Sequence, residues 1–164
     1  MSVGTLEELF VDELKDLYSA EKQITKALPK LAKAVTSVEL REALLSHLEE
    51  TKGQIARLEQ MFQILGKKAT GKTCVGMKGV LEEGSEMLED TDKGEVRDAG
   101  LISAAQRVEH YEMAGYGSAR DFAKLLGRNE IAALLDQTLA EEKAADKKLT
   151  MISKQVNASA KGIQ

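Results

Sequence analysis

Four long stretches of this chain set apolar residues at alternating three- and four-residue steps, and an acid interrupts each stripe at a comparable depth. Such spacing gathers the apolar side chains on one face of a helix, and that face must be buried against other helices. The first stripe is Phe10, Leu14, Leu17, Ile24, Leu28 and Leu31, with Glu21 at the step between Leu17 and Ile24. The second runs Leu40, Leu44, His47, Thr51, Gln54, Leu58, Met61 and Leu65 and is interrupted by Glu50. Leu101, Ala105, Val108, Ala119 and Phe122 form the third around Glu112, and Ile131, Leu135, Thr138, Ala145, Leu149 and Ile152 the fourth around Glu142. Aromatic residues make up only 4% of the chain, Trp is absent and there is one Pro, so helices are favoured over a sandwich or barrel. With 164 residues, 43% of them hydrophobic, the chain is long enough for one all-α domain over residues 1–164.

Local signals place the helix ends. Thr5 and Glu8 make a capping box for a first helix over about 5–34, in which Pro29 should bend the last turns without ending them. Thr36 with Glu39 opens a second helix over about 37–65, closed by Gly66. Lys, Gly and Thr dominate from Lys67 to Thr73, and the amphipathic run over about 74–90 then reads as a helix carried by a crossover connection. A fourth helix over about 95–126 stops at Gly127, and Asn129 caps a fifth over about 129–157, leaving 158–164 as a frayed tail. Helices joined by a few residues lie antiparallel, so the expected architecture is a four-helix bundle of two antiparallel hairpins with an extra helix in the crossover.

Several function classes are disfavoured. The net charge of −4 comes from interspersed acids and bases and leaves no basic face, which speaks against nucleic acid as a partner. The segment Met1 to Leu17 is acidic and lacks the positive start and apolar centre of a signal peptide. No apolar run approaches the ~20 residues a bilayer requires, so a cytoplasmic protein without a membrane partner is expected. Cys74 has no second cysteine, which removes an intrachain disulfide and a thiolate cluster and leaves a small packed residue as its simplest role. The segment Thr70-Gly71-Lys72-Thr73 lacks the earlier glycine and the preceding strand of a phosphate loop and reads as an ordinary loop. No Ser-His-Asp or Cys-His pairing is suggested.

The acids carry the chemistry. Counted from the first turn near Thr36, Glu21 and Glu50 lie at nearly equal distances, and Glu112 and Glu142 do so about the second turn near Arg128. His47 and Glu50 form an i,i+3 pair on the second helix, as do Glu109 and Glu112 on the fourth, while Glu142 and Asp146 form an i,i+4 pair on the fifth. Carboxylates gathered inside a bundle need a compensating positive charge, and two metal ions are the common supplier. Oxygen-rich ligation with one imidazole and no thiolate favours iron or manganese, with magnesium as an alternative. Any one Glu on a helix is more often solvated than ligating, and it is the coincidence of stripe and depth that selects Glu21, His47, Glu50, Glu109, Glu112 and Glu142. Asp146 stands between ligand, supporting partner and surface acid, and Glu49 and Glu141 should face solvent. His110 points about 100° away from Glu109, which suits a surface, interface or supporting role. Tyr18 and Tyr116 are spaced to hydrogen-bond ligand carboxylates, although packed tyrosines would look the same.

At these residues the chain resembles the YciF/YciE stress-protein family of bacteria: Asp16 to Gln23, His47 to Thr51, Glu95 to Ala99, Val108 to Glu112 and Glu141 to Lys143 agree in order and spacing. The resemblance implies a ferritin-like bundle, a homodimer, induction under stress and a dinuclear metal centre. The stretch from Val108 to Ala123 is also similar to the corresponding helix of rubrerythrins, in which two acids one turn apart serve the metal pair, here Glu109 and Glu112. Rubrerythrins carry a His three residues after a Glu on two helices, and those places are Gly53 and Ala145 here, leaving His47 and Asp146 as the available replacements. The functional expectation is a stress protein whose two iron or manganese ions act on iron or on an oxidant, dioxygen or peroxide. The alternative is a non-enzymatic dimeric stress protein with a structural or vestigial metal site.

Overall fold

A computed structural model describes residues 2–162, whose regular structure consists of five helices. They are α1 (Leu6–Ala34), α2 (Val38–Ile64), α3 (Val75–Asp90), α4 (Glu95–Leu125) and α5 (Asn129–Lys161). The expected capping box is present: Glu8 N donates to Thr5 Oγ1 at 3.1 Å and Thr5 N donates to the Glu8 carboxylate at 3.1 Å. Pro29 lies inside α1, and the helix continues past it to Ala34. Gly66 (φ 62°) and Gly127 (φ 70°) terminate α2 and α4 in the left-handed conformation. Each end is fastened by the amide after the glycine, Lys67 N to Phe62 O at 3.0 Å and Arg128 N to Ala123 O at 2.8 Å.

Three expected ends are corrected. Ser37, not Thr36, caps α2, its hydroxyl accepting from Leu40 N at 3.2 Å. Thr36 N is engaged elsewhere, donating to the buried carboxylate of Asp98 at 2.9 Å, and Ser37 N donates to the same carboxylate at 2.7 Å. Asn129 is already helical, and Arg128 in the N-cap position makes no side-chain cap bond, because the chain passes from the close of α4 straight into α5. The fifth helix does not fray at 158: it keeps Val156 buried and runs to Lys161, before Gly162, while residues 163–164 lie outside the described residues.

The connections fix the topology. Asp98 joins the start of α4 to the α1–α2 turn, and the ion pair of Arg128 with Glu7 (2.8 Å) joins the α4–α5 turn to the start of α1. α1 is therefore antiparallel to α2 and to α4, and the segment between α2 and α4 must return along the length of the bundle. That segment carries α3, which packs on α4 and α1. Its N-cap is Cys74, whose backbone N donates to Ser19 Oγ at 2.9 Å and whose sulfur accepts from Met77 N at 3.3 Å. The same sulfur meets Asp16 Oδ2 and the Tyr111 hydroxyl, each at 3.0 Å, so the small packed cysteine is also a fastening point between α1, α3 and α4. Gly76 lets the Tyr111 ring approach, because a Cβ there would lie 2.6 Å from it.

Apolar side chains fill the bundle in two blocks. One, toward the α1–α2 turn, is built around Ile24, Leu28, Leu40, Leu101, Ile102 and Ile152. The other, toward the α4–α5 turn, is built around Phe10, Leu14, Leu58, Phe62, Ile131 and Leu135. Between them lies a layer of buried polar and charged residues. No helix among the described residues is long and apolar enough to cross a membrane.

Asp98→Ala leaves two turn amides without their side-chain acceptor. Urea denaturation should show a loss of about 2–3 kcal/mol with an unchanged slope, and Asp98→Asn should lose less.

Candidate metal centre

The layer between the apolar blocks is where the level-matched acids meet. His47 from α2, Glu109 and Glu112 from α4 and Glu142 from α5 are all buried, and each offers a ligand atom within 4.8 Å of the others. Glu21 from α1 is fully buried beside them and accepts a hydrogen bond from the Tyr116 hydroxyl at 2.5 Å. His47 Nε2 stands 2.9 Å from Glu109 and 3.8 Å from Glu142, without the alignment of a hydrogen bond. Its Nδ1 lies 3.2 Å from Glu50.

Helix geometry sorts the remaining candidates. A residue three positions on is rotated about 60° short of a full turn, so the inward line of α2 runs His47, Thr51, Gln54 and carries Glu50 to the rim. There the Glu50 side chain is 44% exposed, and its carboxylate meets the His47 ring. Asp146 turns toward α4, where its carboxylate lies 3.3 Å from both Gln106 Nε2 and His110 Nε2. It does not join the buried cluster, and His110 is a surface residue whose imidazole pairs with it. Tyr18 also faces away, donating to Glu59 at 3.0 Å and packing edge-on against Phe62. Tyr116 alone of the two tyrosines reaches an interior carboxylate, that of Glu21. Glu49 is exposed as expected, whereas Glu141 is only 24% exposed because Arg57 grips it with two 3.0 Å hydrogen bonds.

Gln54 is a further polar residue on the inward line of α2. It is fully buried, and neither its amide nitrogen nor its oxygen has a hydrogen-bond partner. The signal was its polarity on an inward stripe two turns from His47. Among the described residues, every other unpartnered buried side-chain polar atom belongs to Glu21, His47, Glu109, Glu112 or Glu142. Oxygen-rich orphans of this kind, gathered with one imidazole nitrogen, fit a hard or borderline divalent cation.

The electrostatics describe the same need. Burial, reinforced by the charge of Glu142, pushes the Glu21 carboxyl up to about 8. Burial and the neighbouring Glu109 push Glu142 up to about 9. Burial, together with the charges of Glu21 and Glu142, holds Glu112 well above the carboxylic range. Burial works against charge on His47, but the carboxylates of Glu109 and Glu50 outweigh it and raise the imidazole to about 11. Without a bound cation, protons do the neutralising.

A family model described as "Domain of unknown function (DUF892)" matches residues 5–161. The chain belongs to that family. It is 50% identical over 151 residues to Protein YciF of Escherichia coli (strain K12), covering 92% of this chain and 91% of that protein. The crystal structure of the E. coli stress protein YciF superposes with a TM-score of 0.92 at 48% identity, over 95% of this chain and 99% of that one. A ferritin-like, diiron-carboxylate protein of Bacillus anthracis (strain Ames) shares the fold, with a TM-score of 0.71 at 14% identity over 92% of this chain and 99% of its own. The DUF892 chain is thus a YciF-type protein with the ferritin-like arrangement of helices, and its buried His and Glu residues are compatible with a metal site.

The raised carboxyls fix the sign of a pH dependence. Above the ordinary carboxylate value of 4.5 the unfolded chain has released protons that folded Glu21 and Glu142 keep until about 8 and about 9. His47, raised to about 11, likewise keeps its proton in the folded state above its ordinary 6.5. Each contribution is complete below the unfolded value and is lost as pH rises through the folded one, so the metal-free protein loses stability from about pH 5 to about pH 11, the carboxyls accounting for the loss up to about pH 9 and His47 for the remainder. Thermal melts should show a falling Tm across that window, and Glu112→Gln should raise Tm most at its alkaline end.

Proposed function

We propose that this protein is a stress-associated metalloprotein whose dinuclear iron or manganese centre oxidises iron(II) or reduces peroxide. The observation that carries the reading is the convergence of unpartnered, buried ligand atoms from four helices on one layer. Charge supports two ions: Glu21, Glu109, Glu112 and Glu142 bring four negative charges when ionised, one divalent ion would offset half of them, and two would offset all.

Glu21, His47, Glu109, Glu112 and Glu142 would hold the ions between them. His47 would bind through Nε2 while its Nδ1–H donates to Glu50, which fixes the tautomer and the plane of the ring. Tyr116 would perform the same office for Glu21, leaving the second carboxylate oxygen free for the ion. The apolar blocks above and below exclude bulk water from the layer. When bound, the pair supplies two one-electron redox centres and a Lewis-acidic position for an oxygen species. Because burial and neighbouring charge raise the carboxyls of Glu21, Glu112 and Glu142, loading would release protons from them, and uptake would strengthen with rising pH.

Protein purified without chelators should carry about two ions of iron or manganese per chain and melt at a higher temperature than the chelated form. Glu112→Ala and Glu142→Ala should abolish that stoichiometry. Glu50→Ala should weaken uptake about 10- to 100-fold without changing the number of sites. Iron(II) oxidation and peroxide consumption by loaded protein test turnover. Metal uptake with neither activity would favour a structural site, and no uptake by the wild type would reject the centre.

A further inference from the structure

Next to the acid layer the bundle encloses a cavity of about 120 Å³. Its walls are largely apolar and come from all five helices, with Ile24, Leu28, Leu44, Leu81, Val108 and Leu149 supplying most of the surface. The room exists because Ala43, Ala105 and Ala145 face it from three different helices. Exposed Ser46, Glu50, Ala144 and Lys148 flank its mouth on the seam between α2 and α5. His47 and Glu109 also line it, and each carries an unpartnered buried polar atom.

We infer that this cavity receives the hydrocarbon body of a short-chain organic hydroperoxide, whose peroxide head points to the end of the cavity that His47 and Glu109 line. The inference rests on the metal centre proposed above and names the class of oxidant it takes. Size sets the first limit: a ~150 Å³ apolar cavity accepts benzene, so this one suits a small branched or short linear body and is too small for a long acyl chain. Polarity sets the second. Dioxygen and hydrogen peroxide would leave most of the apolar wall uncovered and gain little from it, whereas a few buried carbons gain affinity in proportion to the area they cover. The one polar stretch of the deep wall then orients an amphiphilic ligand, with its oxygen end toward His47 and its carbons toward Ile24 and Leu28.

The test is equilibrium binding of tert-butyl hydroperoxide to the full-length metal-free protein, followed by methyl NMR, with hydrogen peroxide in parallel. Saturable shifts confined to methyls of Ile24, Leu28, Leu44, Val108 and Leu149 are expected from the organic hydroperoxide and not from hydrogen peroxide. Ala145→Leu, which fills the cavity, should weaken this binding about tenfold or more, and Ala105→Val serves if that variant fails to fold. Crystals pressurised with xenon should show density in the cavity of the wild type. No saturable binding, undiminished binding in the filled variant, or equal response to both peroxides overturns the inference. Metal uptake is measured on the same preparations, so normal uptake without hydroperoxide binding sinks only this assignment. Hydroperoxide binding without uptake supports the occupant and sinks the centre.

Discussion

Four carboxyl groups and one imidazole packed between two hydrophobic blocks are a standing electrostatic cost, and much of the molecule is arranged around it. In water Glu21, Glu112 and Glu142 would ionise freely, but here removal from solvent and neighbouring negative charge oppose that. The chain therefore spends part of the driving force of its apolar blocks on keeping a charged layer at their junction. A bundle built only for stability would carry leucines at Glu21, Glu112 and Glu142. That it carries acids instead, with a histidine facing them, is the physical reason to regard the layer as a site.

The supports around the layer divide the work. Tyr116 and Glu50 each hold one member of the cluster from outside, the first from within the core and the second from the rim. Arg57 ties α2 to α5 through Thr138 and Glu141, near the same level, and so braces the seam on which the cavity opens. On the opposite flank α3 is fastened by Cys74, Ser19, Asp16 and Tyr111. Burial pushes the thiol of Cys74 up, away from a reactive thiolate, in keeping with a fastening role. One flank is closed by a helix and the other is left with small residues and a mouth.

Much of this was legible in the sequence because helical stripes and turn counts are local quantities. The stripes placed Glu21, Glu112 and Glu142 inward at the right height, and Gly66 and Gly127 ended the helices where they were read to end. Stripe reasoning pairs Glu50 with His47, and the structure keeps that pair, but an angular difference of about 60° decides between core and rim and carries the Glu50 carboxylate to the rim side of the His47 ring. Periodicity leaves Asp146 and Tyr18 open between roles, because their neighbours, His110, Gln106 and Glu59, come from or face other helices at positions no single stripe specifies. The cap of α2 falls on Ser37 and not on Thr36 for the same reason: the acceptor of the Thr36 amide, Asp98, lies 62 residues away. Gln54 was visible on the buried stripe, but only the three-dimensional structure shows that its amide has nothing to bond.

Asp98 has a consequence beyond its own hydrogen bonds. Two hairpins of uniform helices can slide past one another by a turn, about 5.4 Å, with modest change in hydrophobic coverage. Such a slip would carry Glu109 and Glu112 out of line with Glu21 and His47 and leave the acids on two separate storeys. The carboxylate that grips the far turn works like the notch of a vernier: by fixing the axial offset of α4 against α1 and α2 at one end, it decides whether the groups some four turns away come into alignment at all.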